Sequence, residues 1–214
     1  MRQGLSADTL LAAYASGVFP MAEHEDDPEL FWVDPRQRGV LPLGGFHISR
    51  SLARRLRRNT FAVTFDADFP GVVAGCADRA ETWINATLRA LYAELAARGH
   101  AHSCEVRDET GALVGGVFGV AIGGAFFGES MFSHRTDASK VALAYLVDRL
   151  RAGGFILFDT QFITPHLRRL GGREIPRAVY RQRLAAALET RARFDSDTPA
   201  PPGQEVVQRN AQTS

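Results

Sequence analysis

An aspartate and a glutamine one residue apart, Asp159 and Gln161, follow directly on the run Phe155-Ile156-Leu157-Phe158. That run is apolar at every position, as in a strand covered on both faces. Polar residues at the carboxyl end of such a strand stand where open α/β sheets hold ligands. Alternate strand residues share a face, so acid and amide are expected to point the same way, as a pair able to engage one polar group. A turn or a helix cap would use the same residue types at the same place. A second carboxylate, Glu129, interrupts the β-run Ala125 to Phe132 beside Gly128 and Ser130. An acid in mid-strand needs a partner, and an internal salt bridge and a site role both remain open.

A different chemistry is offered by the segment Ser49 to Asn59, which carries Arg50, Arg54, Arg55, Arg57 and Arg58 within nine residues. From His47 to Thr64 there is no Asp or Glu to neutralise them. A solvated basic face with Leu52 and Leu56 buried is one reading, and a phosphate backbone held without reading of sequence is the other. Trp83, at a loop-helix junction, is either core packing or a platform for a base. His100 and His102 form an H-x-H pair with no third ligand nearby, so no metal is expected. Cys76 and Cys104 are the only cysteines, without C-x-x-C spacing, which argues against a disulfide scaffold.

The elements that must position these groups follow from pattern and punctuation. Ser6 caps a helix from Ala7 to Ser16 that ends at Gly17, and Val18-Phe19-Pro20 is extended. The acidic loop His24 to Pro28 precedes a short strand, Leu30 to Val33, and a turn at Asp34-Pro35-Arg36. A strand at Phe61 to Phe65 leads into a short helix from Asp68, and a longer helix spans Asn85 to Ala97. Ser103 to Arg107 and Ala112 to Val120 read as a hairpin. After Gly123-Gly124 comes the strand with Glu129, then a helix from Ala138 to Ala152 capped by Asp137 and stopped by Gly153-Gly154. Thr164-Pro165 and Pro176 start two further helices. The final stretch, residues 193–214, is rich in Pro, Gln and Ser without periodicity and is expected to be a disordered tail.

The chain has 214 residues, 45% hydrophobic and 23% charged, which allows one good core with a small second lobe. The predicted division is an N-terminal lobe over 1–36, a main domain over 37–192 and the tail. With no signal peptide and no apolar run of 18 residues, a cytoplasmic protein is expected. A net charge of +1 means that any contact with nucleic acid must come from local clustering.

Seven motifs in register carry a resemblance: YASGVFP at 14–20, HISRS at 47–51, TWI at 82–84, GHAHS at 99–103, GESMFS at 128–133, DTQF at 159–162 and LGGREIPR at 170–177. Together, over about residues 4–190, they resemble the bacterial leucyl/phenylalanyl-tRNA-protein transferases. The resemblance implies an α+β fold with a GNAT-like acyltransferase core. It implies an aminoacyltransferase that moves leucine or phenylalanine, and possibly methionine, from tRNA to the N-terminal arginine or lysine of proteins, marking them for N-end-rule degradation. On that basis Asp159 and Gln161 are the catalytic pair. Gln161 would hold the amine, and Asp159 would orient the amide or stabilise the emerging ammonium. Glu129 would pair with the acceptor's basic side chain. Val117, Phe126, Met131, Leu146 and Phe158 would form the aminoacyl pocket, and Met21, Trp83 and the five arginines would contact tRNA. Met21 stands where family members commonly have tryptophan. Acyl-CoA enzymes of this fold use a glycine-rich turn before the crossover helix. The turn here, Ser133 to Asp137, has no glycine, so neither coenzyme A nor any other cofactor is expected. The expected state is a monomer without membrane contact. A tRNA-dependent peptidoglycan aminoacyl transferase and a non-catalytic RNA-binding module are the alternatives.

Overall fold

The computed structural model describes residues 5–22, 27 and 30–212. The first helix, α1 (Ala7–Ser16), is capped by the Ser6 hydroxyl and closed by Gly17 in the left-handed region. It is followed by β1 (Phe19–Met21), β2 (Phe31–Val33) and β3 (Gln37–Val40). Most of the acidic loop at 24–28 lies outside the described residues. Next come α2 (Arg50–Arg57), β4 (Ala62–Phe65), α3 (Phe69–Ala77) and α4 (Ala86–Ala97), then β5 (Ala101–Arg107), β6 (Leu113–Ile122) and β7 (Ala125–Ser133). The chain continues through α5 (Ala138–Ala152), β8 (Leu157–Gln161), α6 (Pro165–Arg169), β9 (Arg173–Pro176), α7 (Arg177–Glu189) and α8 (Gly203–Ala211).

Seven strands form one mixed sheet in the order β4-β5-β6-β7-β8-β3-β9, and β1 and β2 form a separate ribbon. The run β4 to β7 is antiparallel, and α5 then crosses over to bring β8 in parallel to β7. This is an α+β arrangement, a mixed sheet with flanking helices. Two apolar cores lie against the sheet. One contains Leu10, Tyr14, Val72, Leu88 and Leu184 from α1, α3, α4 and α7, and the other contains Leu52, Leu146, Leu167 and Val206 from α2, α5, α6 and α8. Because Leu10, Tyr14 and Phe19 share the first of these cores with the main sheet, the N-terminal segment is built onto that core rather than around one of its own.

Several sequence expectations need correction. Strands β3 and β9 are invisible to pattern: both are four residues long, rich in charge, and paired with each other. Ile156 is 57% exposed, since β8 begins only at Leu157. Asp137 does not cap α5 with its side chain. It adopts φ 71° and pairs with Lys140 Nζ at 2.7 Å instead.

The largest correction concerns the tail, which is ordered. The Arg149 guanidinium donates to the carbonyls of Asp195 and Thr198 at 2.6 Å each, and so ties the passage after α7 to α5. The Phe194 ring stacks on His102 at 4.2 Å, and Val206 on α8 is 1% exposed. Two buried apolar anchors and a chelating arginine hold a segment whose composition alone would leave it loose. Phe194→Ala is expected to lower unfolding free energy by about 3 kcal/mol, the usual scale for emptying a buried aromatic site, measured by urea denaturation. A disordered tail would give no change.

Candidate active site

The pairing of β7 with β8 stops after Phe127↔Asp159, and the two parallel strands part beyond it. Each carries a β-bulge at that point. On β7, Phe118 faces Ser130 and Gly119 faces Gly128, which leaves Glu129 as the extra residue. On β8, Val40 faces Asp159 and Gly39 faces Gln161, which leaves Thr160 as the extra residue. Bulges turn side chains away from the regular pleat, and here they turn them toward the opening between the strands. Gly39 and Gly128 permit the close approach. A Cβ at Gly39 would stand 2.6 Å from the Phe162 carbonyl carbon, and one at Gly128 would stand 2.7 Å from the Phe158 ring.

The opening is a cleft of about 270 Å³. Val117, Met131, Leu143, Phe158 and Leu167 give it an apolar wall, while Glu129, Ser130, Thr160, Gln161 and Arg79 bring polar groups. Phe19, Met21, Trp83 and Phe162 complete the lining. Of the five residues expected to line an aminoacyl pocket, Val117, Met131 and Phe158 line this cleft. Phe126 and Leu146 are in the core behind, 0% and 1% exposed, with the Phe126 ring packed edge-on against Phe158 at 5.4 Å. Met21 and Trp83, expected to contact tRNA, both lie on the cleft.

Asp159 and Gln161 are neighbours but face different surroundings. Gln161 adopts φ 55°, a left-handed conformation that breaks the alternation on which a shared face depends. Asp159 is 0% exposed and does not line the cleft. Its carboxylate accepts from Arg38 Nε at 2.9 Å and Nη2 at 2.6 Å, from the Tyr180 hydroxyl at 2.7 Å, and from the Gln161 backbone N–H at 2.8 Å. The expected contact of Asp159 with an emerging ammonium is therefore not available. What it fixes is the backbone turn that aims Gln161. Arg38, 1% exposed, lies between the Phe19 and Tyr180 rings at 4.6 and 4.5 Å and also donates to the Gly17 carbonyl. Burial works against its charge, but the hydrogen bonds and charge of Asp159 outweigh that and raise its pKa. Removing one member of such a buried pair costs about 3–5 kcal/mol, because the other is left uncompensated.

Gln161 donates through Nε2 to Glu129 Oε1 at 3.3 Å, and its side chain lines the cleft. Glu129 Oε2 accepts from the Tyr92 hydroxyl at 2.7 Å, and Tyr92 is 3.1 Å from the Tyr14 hydroxyl. Burial and the Glu129 charge hold both phenols well above their usual pKa, so they remain protonated. Among the described residues no cation is ion-paired with Glu129, so the internal salt bridge that a mid-strand acid suggests is absent. Burial pushes its carboxyl up to about 7, with the Asp159 charge adding to the rise and the tyrosine hydrogen bonds opposing it. Arg79 binds the Ser130 hydroxyl at 2.9 Å and the Cys76 carbonyl at 2.8 Å. The buried Thr160 hydroxyl has no hydrogen-bond partner.

Sequence reading missed Arg38, Tyr180, Tyr92, Tyr14, Arg79 and Thr160. Tyr14 and Thr160 fall inside the motifs YASGVFP and DTQF without being singled out, and Arg38 and Tyr180 are brought to Asp159 only by strands and helices far along the chain. Four of the five arginines are on α2 and Arg58 is its C-cap, with Leu52 and Leu56 buried beneath them. Arg50, Arg54, Arg57 and Arg58 line one groove with Ile48, Ala53 and Val207. Arg55 lies 3.9 Å from Asp137, and the other four have no ion pair among the described residues. The groove is on the side of the sheet that carries α6. His102 bonds Asp66 at 2.8 Å, and no group of three or more His, Cys, Asp or Glu stands together among the described residues. Among those residues, too, no helix is long and apolar enough to cross a membrane.

A mixed sheet parted at its parallel pair, with an apolar wall opposite an amide and a carboxylate, is an arrangement suited to acyl transfer. The chain belongs to the leucyl/phenylalanyl-tRNA protein transferase family. The family model of that description matches residues 40–185, and the model of the family's N-terminal domain matches residues 4–36. A leucyl/phenylalanyl-tRNA–protein transferase of Ruegeria sp. (strain TM1040) is 66% identical over 98% of this chain and 99% of its own. One of Cereibacter sphaeroides (strain ATCC 17029) is 64% identical over 98% of each chain. Among solved structures, L-PGS of Bacillus licheniformis aligns with 71% of this chain and 51% of its own at 14% identity and a TM-score of 0.42.

The raised pKa of Glu129 has a consequence for stability. A carboxyl whose folded pKa lies above its unfolded value favours the folded state most when protonated. Its contribution is full below about pH 4.3, declines as pH rises, and is gone above about 7. Wild-type protein is expected to lose up to about 3 kcal/mol across that window relative to Glu129→Gln, in urea titrations of both proteins at matched pH. A constant difference between them would mean that the carboxyl titrates in its ordinary range.

Proposed function

We propose that this protein transfers leucine or phenylalanine from its tRNA ester to the α-amine of proteins that begin with arginine or lysine, as the entry step of N-end-rule degradation. The observation that carries the reading is the Gln161 side chain on the cleft, tied through its amide nitrogen to Glu129 and through its backbone to Asp159. The acceptor nitrogen attacks the ester carbonyl, a C–N bond forms, and the bond to the ribose oxygen breaks. The nitrogen loses one proton and the ribose oxygen gains one. A neutral amide is far too weak a base to take that proton. Gln161 is suited to accept a hydrogen bond from the amine and hold it in line with the carbonyl, and the adjacent ribose hydroxyl relays the proton. Asp159 is a positioning residue in this scheme.

The apolar wall of Val117, Met131 and Phe158 suits an aliphatic or aromatic hydrophobic side chain and penalises a charged one. Glu129 keeps a lone pair on each oxygen beyond its bonds to Gln161 and Tyr92, so it can pair with the acceptor's first side chain. Pairing with a cation would also favour the ionised form. The α2 arginines suit the phosphate backbone of the donor, and the cytoplasm is the compartment this reading implies.

Incubation of the protein with leucyl-tRNA and peptides beginning with arginine, lysine or alanine is expected to give product with the first two alone. Product with none would remove the reading. Gln161→Ala should lower turnover at least tenfold with tRNA affinity little changed. Glu129→Gln should weaken basic acceptors by about 1.5–3 kcal/mol in their kcat/KM. Arg54→Ala with Arg57→Ala should weaken tRNA binding and reduce the slope of log affinity against log salt by about two, one for each phosphate no longer neutralised. An unchanged slope would leave this helix a solvated face.

A further inference from the structure

Besides the cleft and the arginine groove, the molecule has a third basic concavity that neither the family match nor the transfer chemistry assigns. It has about 330 Å³ of space and is lined by His47, Ser49, Lys140, His166 and Arg169, with Leu52 and Leu170 at its base. Every ionisable group that lines it is basic. Lys140 alone has an acid, Asp137 on its own turn, and Arg55 approaches that same carboxylate at 3.9 Å. His47 and Arg169 have no ion pair among the described residues. The Nε2 atom of His166 is shut off from solvent and makes no hydrogen bond. Burial, then the charges of Lys140 and Arg169, hold the His166 pKa below its usual value.

A buried imidazole nitrogen without a partner costs free energy, and so do cations brought together without an acid. A tetrahedral anion relieves the crowded cations, since its oxygens accept from several donors at once. Ser49 also opens α2 here, which adds the positive end of that helix.

We infer that this pocket binds a backbone phosphate of the donor RNA near its acceptor end, and the inference rests on the transferase reading. The position favours a nucleic-acid phosphodiester over a free ion. His47 is shared with a shallow groove along residues 44–48 that also touches Val207, and Ile48 and Val207 are shared with the groove of Arg50, Arg54, Arg57 and Arg58. On its other side the pocket is bounded by α6. That helix turns His166 and Arg169 into the pocket, while Leu167 and the preceding Thr164 face the cleft. A strand whose stem meets the arginines and whose end enters the cleft therefore passes over this pocket, about one helix diameter from the reacting ester.

The test uses two readouts on the full chain. Fluorescence anisotropy with an uncharged acceptor-stem minihelix reads RNA binding without the chemistry. Transfer from a 3′-leucyl-adenosine, which contains no phosphodiester, reads the chemistry alone. His47→Gln with Arg169→Gln, both exposed positions, is expected to weaken minihelix binding at least tenfold. The KM for leucyl-adenosine should stay within twofold. Arg169→Lys should recover most of the binding, since a point charge remains. Unchanged minihelix affinity overturns the inference, and so does an equal loss with the adenosine ester, which would make the pocket part of the scaffold. If wild-type protein fails to transfer from leucyl-adenosine or leucyl-tRNA but the variants still lose RNA affinity, the pocket stands and the transferase reading falls.

Discussion

The buried pair of Arg38 and Asp159 is the contact on which most of this molecule turns. It joins β3 to β8, takes in α7 through Tyr180, and reaches the end of α1 through the Gly17 carbonyl. Four segments that are distant in sequence thus meet on two charges that have no access to solvent. Such a pair adds little net stability over well-packed apolar residues, but it is costly to break. Its directional hydrogen bonds also fix geometry in a way that apolar packing does not. One of them, from the Gln161 N–H, sets the turn from which the amide enters the cleft. The Gln161 side chain on the cleft is therefore held from behind by a group that does not itself line the cleft.

The second constraint is the parting of β7 and β8. A parallel pair that continued in register would close the sheet and fill the space between the strands with backbone hydrogen bonds. Two bulges, one on each strand, spend that regularity on aiming Glu129 and Gln161 across the gap. The tyrosines behind Glu129 complete a chain from Tyr14 through Tyr92 to the amide. Desolvation along this chain explains why Glu129 titrates near neutrality while the phenols do not titrate at all in the ordinary range.

Much of this was legible in the residues. Helices α1 to α7 follow caps, glycines and apolar spacing, because those signals act within a few residues of one another. Glu129 and Gln161 stood out because a polar group in an apolar strand must be satisfied somewhere. The relation between Asp159 and Gln161 did not follow from strand alternation, since one extra residue opposite β3 reverses it. Strands β3 and β9 were missed because their pairing partners are far away and their own sequences are charged. The C-terminal segment looked featureless because what orders it, Arg149 and His102, belongs to other elements. Local patterns report local forces, and these are long-range contacts.

The place of β3 in the sheet has a consequence for how the chain comes into being. This strand is made early, yet both its neighbours, β8 and β9, are made near the end, and Arg38 lies 121 residues ahead of Asp159. During synthesis the chain emerges from its amino end, and β4 to β7 can pair as successive neighbours while β3 has no edge to join. The guanidinium stays in water until the last third of the polypeptide arrives. A nascent protein interrupted anywhere before β8 thus has neither the buried pair nor the amide it aims, and the site comes into existence as a whole, late, when the sheet closes around its oldest strand.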